Sequence, residues 1–405
     1  MERSRARAFG SLRSRNVRLF LAGQAVSLVG TWVQQVAMGW LAYRLTGSPL
    51  LLGVLAAAGQ LPSLLLMPIA GSLSDRWRRH RILIVTQSLA MALTLCLAGL
   101  ALAGVVTVWH LVAIGALLGV VGALDVPVRQ AFVADMVASR DDVGNAVALH
   151  ASVTNAARLV GPSIGGAIVA HAGEGVCFLV NGASYAAVVL ALLAMRTAPE
   201  APARPATPIL QGLRETARYA RSTRPIAATL LLVALVTLLG RPYTVLLPVF
   251  AAEVLHGGPQ TLGWLMAASG CGALVGTLAL SLQRSLGQSA RTIRLGAAVA
   301  GTALVLFALS DALWQSLALM FVTGLGVMVH LASSNALIQT LVADDERGRV
   351  MGLYTMAFVG LAPVGTLLAG TLAASLGAAR MVLLGGLCCL AGSLAFGRRL
   401  PRKLA

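Results

Sequence analysis

Residues 82–127 read ILIVTQSLAMALTLCLAGLALAGVVTVWHLVAIGALLGVVGALDVP. Arg81 precedes this stretch and Arg129 follows it, while Asp125 is its one charged residue. A helix of about 20 apolar residues reaches across a hydrocarbon core about 30 Å thick. The stretch is long enough for two such crossings, 82–104 and 107–127, joined by two residues. A link that short ties antiparallel neighbours into a hairpin. Lipid offers no water to backbone N–H and C=O groups, so each crossing has to be a helix.

The same rhythm fills the chain on both sides. Apolar runs stand at 19–43, 50–72, 82–104, 107–127, 146–171, 176–195, 226–251, 261–282, 292–310, 313–337, 352–376 and 380–397. Of the 405 residues, 58% are hydrophobic and 11% charged. Twelve spans leave short loops, two tails and one central connection, and no room for a soluble domain of ordinary size. The reading is an all-α integral membrane protein of twelve transmembrane helices. The basic N-terminus and first run resemble a signal peptide in order only. The run is too long and lacks a cleavage signature, so we read it as an uncleaved span.

The net charge of +17 invites a nucleic-acid reading, but its distribution argues against one. Of the 31 Lys and Arg, 27 fall in alternate gaps: the tail to Arg18, then 74–81, 128–145, 196–224, 281–294, 345–350 and the end after Gly397. Only Arg44, Arg158, Arg241 and Arg380 lie elsewhere. This is the positive-inside bias, and it places both termini in the cytoplasm. Cys96, Cys177, Cys271, Cys388 and Cys389 all lie within apolar runs, with no metal-site or disulfide-framework spacing.

Residues 196–225 differ in composition. Pro199, Pro202, Pro205 and Pro208 indicate an extended linker, and QGLRETARYARSTR then separates apolar from basic positions, as in a short interfacial helix. The expected order is a basic tail (1–18), a bundle (19–196), the linker (197–225), a second bundle (226–397) and a tail (398–405). The halves repeat weakly. QAFVADMV around Gln130 returns as QTLVADDE around Gln339, and Pro162 in VGPSIGG has a partner in Pro363 of LAPVGT. Repetition of six-helix units marks two-domain alternating-access transporters.

The 2–3 loop reads GSLSDRWRRHR, Gly71–Arg81. Asp75 is its one acid, suited either to a solvated loop or to bonding arginines in another part of the bundle. In the fifth span, ARLVGPSIGGAIVA puts Ala151, Asn155, Arg158, Pro162 and Gly165 on one face. Pro162 removes a backbone bond, and Gly161, Gly165 and Gly166 permit close helix approach.

These two elements resemble signatures of the major facilitator superfamily. Gly71, Leu73, Asp75, Arg76 and Arg79 match its 2–3 loop pattern, with Arg78 and His80 as departures. Gly161, Pro162, Gly165 and Gly166 resemble the fifth-helix signature of its exporter branches. LTGSP near 45–49, DVPVRQAFVADMV at 125–137 and RPYTVLLPVFAAEV at 241–254 look like the bacterial branch of enterobactin exporters and drug-efflux proteins. The fourth-helix signature of drug–proton antiporters is absent, with Gly115 and Leu118 near its Arg and Gln positions. The resemblance implies two pseudo-symmetric six-helix bundles, the major facilitator fold. It further implies that Asp75 and its arginines lock one state against the 10–11 loop, where Asp344, Asp345, Glu346, Arg347 and Arg349 lie.

A charge at the bilayer centre costs at least about 2.5–3.5 kcal/mol, so retained polar groups are pathway candidates. Arg158 is suited to an anionic substrate, a switching partner or a permanent pair. Asp125 is suited either to a plain bridge to Arg129, four residues on, or to a proton role in which it alternates between a proton and Arg158. Arg241 precedes Pro242 and has Glu253 within reach as a bridge. His330 titrates near neutrality when unperturbed. Gln34 and Asn155 complete the candidate substrate or proton pathway, Gln34, Asp125, Asn155, Arg158, Arg241 and His330. Each also has a packing explanation in helix–helix hydrogen bonding.

The expected function is a proton-driven exporter of a siderophore or drug-like amphiphile in the bacterial cytoplasmic membrane. It uses no cofactor beyond the proton gradient, binds no nucleic acid or metal, meets membrane lipid and works as a monomer. An importer of the same fold is the rival, and a scaffold or receptor the distant alternative. No HExxH or HxxxD spacing supports an embedded enzyme, and no GxxxxGK[ST] run supports direct ATP drive.

Overall fold

The computed structural model describes residues 11, 14–74, 78–137, 140–195, 223–282, 290–343 and 346–399; at 67–74, 140–141 and 398–399 it gives the backbone course alone. The expected linker helix lies outside the described residues. Among those described, the chain forms twelve long helices. The first six are α1 (Arg15–Thr46), α2 (Pro49–Ser74), α3 (Arg79–Leu102), α4 (Val108–Asp135), α5 (Arg140–Ala172) and α6 (Glu174–Leu193). The second six are α7 (Arg224–Val254), α8 (Pro259–Leu282), α9 (Ala290–Ala308), α10 (Leu313–Leu341), α11 (Arg347–Leu376) and α12 (Ala378–Arg399). Ten are long and apolar enough to cross a membrane. The two that fall short, α1 and α5, contain Gln24, Gln34 and Gln35, and Asn155 and Arg158, the polar groups a pathway would need.

The links are as short as the sequence implied. A single glycine separates α5 from α6 and α11 from α12. Gly173 and Gly377 sit at φ 83 and φ 92, where a Cβ would clash with the backbone. The two sharp reversals occupy corresponding places in the two halves. α4 starts on a reciprocal cap, in which the Thr107 amide donates to His110 Nδ1 at 3.1 Å.

The described residues fall into two compact units, one within Met1–Leu41 and Ala58–Thr207, the other within Ala42–Ala57 and Pro208–Ala405. In the first unit α3 packs along α6 and α4. Val17, Phe20, Leu83, Phe132 and Leu192 close its basic end as one apolar cluster. In the second, α10 packs along α8 and α9, and α9 along α12. Val236, Ile293, Ala297, Leu337 and Phe396 form a core there. Large apolar side chains also stand exposed around both units, Trp109, Leu190, Trp314 and Leu394 among them. In water such surface would be a liability; against acyl chains it is the required solvent-facing surface.

The 42–57 segment, the connected ends of α1 and α2, belongs to the second unit. The cause is a close backbone crossing. A Cβ placed on Gly53 would lie 2.6 Å from the Thr366 carbonyl oxygen and 3.0 Å from Gly370 Cα.

Candidate transport pathway

The fifth-span glycines meet α1. A Cβ on Gly161 would stand 2.5 Å from Trp32 Cβ, and one on Gly165 would stand 3.0 Å from Val33 Cα. The missing side chains let the two backbones touch. The second unit repeats the arrangement between α11 and α7. There a Cβ on Gly365 would lie 2.9 Å from the carbonyl oxygens of both Thr237 and Leu238. α7 widens to a π turn at Val236–Gly240 opposite that glycine. Pro162 lies inside α5, between the two contact glycines. Gly165→Leu is expected to lower the thermal midpoint of the detergent-purified protein. Overpacking of this kind costs about 1–3 kcal/mol, because the opposing atoms are backbone and cannot rotate away.

Asp125 is 3% exposed and is the hub of a buried network in the first unit. Its Oδ1 accepts from Thr86 Oγ1 at 2.8 Å and Gln87 Nε2 at 2.7 Å, and its Oδ2 pairs with Arg129 at 2.8 Å. Arg129 in turn donates to Gln24 Oε1 at 2.9 Å. The plain bridge between Asp125 and Arg129 is thus present, with α1, α3 and α4 tied through it. Arg158 takes a different neighbour, its guanidinium lying 5.8 Å from the ring centroid of Trp32. In this structure Asp125 pairs with Arg129 and not with Arg158. Asn155, one turn earlier on α5, is half-buried.

Gln34 sits in a second buried cluster. Its Oε1 accepts from Asn181 Nδ2 at 2.5 Å and Thr94 Oγ1 at 3.2 Å, and its amide faces Met38 Sδ at 3.4 Å. This couples α1 to α3 and α6. The sequence singled out Gln34, while Gln24, Thr86 and Gln87 went unrecognised as its counterparts. Their signal was available only as polar residues at helical spacing within apolar runs.

In the second unit Arg241 follows the π turn of α7. Its Nη1 donates to the Phe358 carbonyl at 3.3 Å, and its Cζ lies 4.6 Å from that ring's centroid. The expected bridge to Glu253 is not formed; Glu253 accepts from the Tyr43 hydroxyl at 2.5 Å. Tyr43 lies in the 42–57 segment, so this bond is a second attachment of that segment besides the Gly53–Gly370 crossing. Tyr43 is a functional candidate that the sequence reading missed. His330 is fully buried, with Nδ1 against the Ile293 carbonyl at 3.3 Å and Nε2 without a hydrogen-bond partner. The backbones around it are crowded, since a Cβ on Gly296 would lie 2.7 Å from His330 N. This position joins α9 to α10, and none of the other five candidates lies beside it.

Of the loop motif, Gly71 and Leu73 close α2, while Asp75 and Arg76 lie outside the described residues, as do Asp344 and Asp345. Arg79 opens α3, and its Nη1 reaches Asp135 Oδ2 at 2.7 Å. That acid ends α4, in the same unit. It belongs to the VAD triplet that recurs at Val342–Asp344, so the repeat carried the signal although the partner was not named. Both side chains are about a third exposed, 30% and 37%, which makes the pair weak as a stabiliser. Asp135→Asn should change stability by less than about 1 kcal/mol. A larger loss of transport rate at unchanged thermal midpoint would identify the pair as part of a gate.

Among the described residues no group of three or more His, Cys, Asp or Glu is arranged to hold a metal ion. What the polar residues build instead is a set of struts inside a helical bundle. The comparisons agree with that character. The sequence profile of a family described as transmembrane secretion effector matches residues 6–403. The staphyloferrin A transporter of Staphylococcus aureus is 25% identical over 397 residues, covering 96% of this chain and 98% of that one. The multidrug efflux pump Tap of Mycobacterium tuberculosis (strain H37Rv) is 28% identical over 378 residues, covering 87% and 86%. A crystal structure of the peptide transporter POT with sulfate superimposes with TM-score 0.77 at 14% identity, over 95% of this chain and 94% of that one, a likeness of fold. With twelve long helices among the described residues, ten of them apolar enough to cross a membrane, a paired helix-crossing pattern and a family match over nearly its whole length, this chain is a multi-pass membrane transporter of the major facilitator superfamily, in its transmembrane secretion effector family.

Proposed function

We propose that the chain exports a small amphipathic molecule, a siderophore or drug-like compound, across the cytoplasmic membrane by alternating access, in exchange for protons. One observation carries the reading. Relatives matched over nearly their full lengths are named for siderophore transport and for multidrug efflux. The glycine–proline face of α5 seated on α1 is consistent with it, because a sealed helix crossing limits leak through a bundle that pumps outward. The proton gradient supplies the drive, and the protein works as a monomer with both termini in the cytoplasm, following the basic loops. Asp125, Arg158, Arg241 and His330 are the candidate groups within the spans for handling protons or a charged cargo.

The test is transport in proteoliposomes with a panel of siderophores and amphiphilic cations, with and without a pH step. Cargo should move away from the side bearing the basic loops, with counter-movement of protons. Movement towards that side would make the chain an importer. Transport indifferent to the pH step would remove the proton coupling.

A further inference from the structure

On the lipid-facing side of the second unit, α7 and α12 leave a recess of ≈ 100 Å³. Ala228, Leu232 and Leu235 of α7 and Gly392, Ala395 and Phe396 of α12 line it. Side-chain size explains the hollow: Ala228, Gly392 and Ala395 are small where flanking turns carry leucine. Leu232 and Phe396, 3% and 2% exposed, make the floor. Ala395 is exposed and Leu231, on the rim, is 55% exposed, so the recess opens sideways.

The recess is apolar along its length and has a charge at one end. Ala228, Leu232 and Leu235 follow one helical stripe, and Arg224, exposed, is one turn before Ala228 on it. The rise of a helix sets Arg224 about 6 Å from Ala228 and about 17 Å from Leu235 along the axis. α12 runs antiparallel and ends at Arg399, one turn past Ala395. An uncharged apolar ligand gains nothing from such an end, whereas a chain of methylenes carrying a phosphate matches both parts.

We propose that this recess binds an anionic glycerophospholipid of the leaflet on the basic side, one acyl chain lying along the stripe and the phosphate resting on Arg224. The proposal depends on the membrane fold and not on the direction or cargo of transport. Its occupant is fixed by charge complementarity at Arg224.

The experiment uses the full chain, purified in detergent with equal phosphatidylglycerol and phosphatidylcholine and analysed by native mass spectrometry. Phosphatidylglycerol should be retained over phosphatidylcholine. Arg224→Ala should reduce that preference about fivefold, the effect of one arginine at an anionic surface, and Arg224→Lys should keep it. Gly392→Leu fills the hollow and should lower retention of both lipids. Should that variant fail to fold, phosphatidylglycerol with a photoreactive acyl chain should label the wild-type protein around Ala395 and Phe396. Equal retention of the two lipids, indifference to Arg224→Ala, or labelling confined to other helices would each overturn the site. So would preferential labelling there by a transported amphiphile, which would make the recess a cargo entrance.

Discussion

Tethering residue 43 to residue 253 is expected to stop transport. In a Tyr43→Cys/Glu253→Cys variant, a short bifunctional methanethiosulfonate reagent should abolish cargo movement, and a reductant should restore it. The reason lies in how two helices are shared. α1 and α2 run unbroken, yet residues 42–57 pack as part of the second unit while the remainder of both helices packs with the first. Two attachments hold the segment, the Tyr43 hydrogen bond to Glu253 and the Gly53–Gly370 crossing. A hydroxyl–carboxylate bond at an exposed carboxylate is worth about 1.5–3 kcal/mol at most, and a glycine crossing carries no side-chain interlock. Both can be broken and remade within a transport cycle, whereas a covalent tether cannot. Each single cysteine, treated with the same reagent, should keep most of its activity. Full transport by the tethered double variant would show that the segment never leaves the second unit, and alternating access by rocking would be untenable.

The second large effect is on stability. Asp125→Ala should destabilise the first unit by about 3–5 kcal/mol, because it leaves Arg129 without its carboxylate in a largely desolvated position. The Arg129 side chain is 18% exposed, which moves the expectation to the lower end of that range. Thr86 and Gln87 would lose their shared acceptor at the same time. Asp125→Leu combined with Arg129→Met should recover much of the loss, since a buried pair replaced by apolar groups of similar volume is often neutral. Thermal unfolding of the four members of this cycle measures the coupling. A fold that tolerates Asp125→Ala alone would show that the network is accessible to water, and Asp125 would return as a proton carrier.

Much of the molecule was legible from the chain. The length and polarity of the apolar runs set the helices, because lipid permits no other way to pair backbone groups. The glycines of α5 announced a close helix approach, and Asp125–Arg129 announced a bridge through its spacing of four. The partner of Gly161 and Gly165 was not legible, since close approach specifies a gap but not which helix fills it. The same limit applies to Arg158, Arg241 and Glu253. An ion-pair expectation drawn from charge alone overlooked Trp32, the Phe358 carbonyl and Tyr43, which these groups meet in the structure.

The sequence by itself determined the membrane fold and the helix count, because hydropathy acts locally, residue by residue, against a uniform solvent. Only the tertiary structure decided which polar groups meet, that the joined tips of α1 and α2 belong with the second unit, and that His330 lies at a closed helix crossing. Those outcomes depend on which helix faces contact one another, and an apolar span presents nearly the same chemistry on every side.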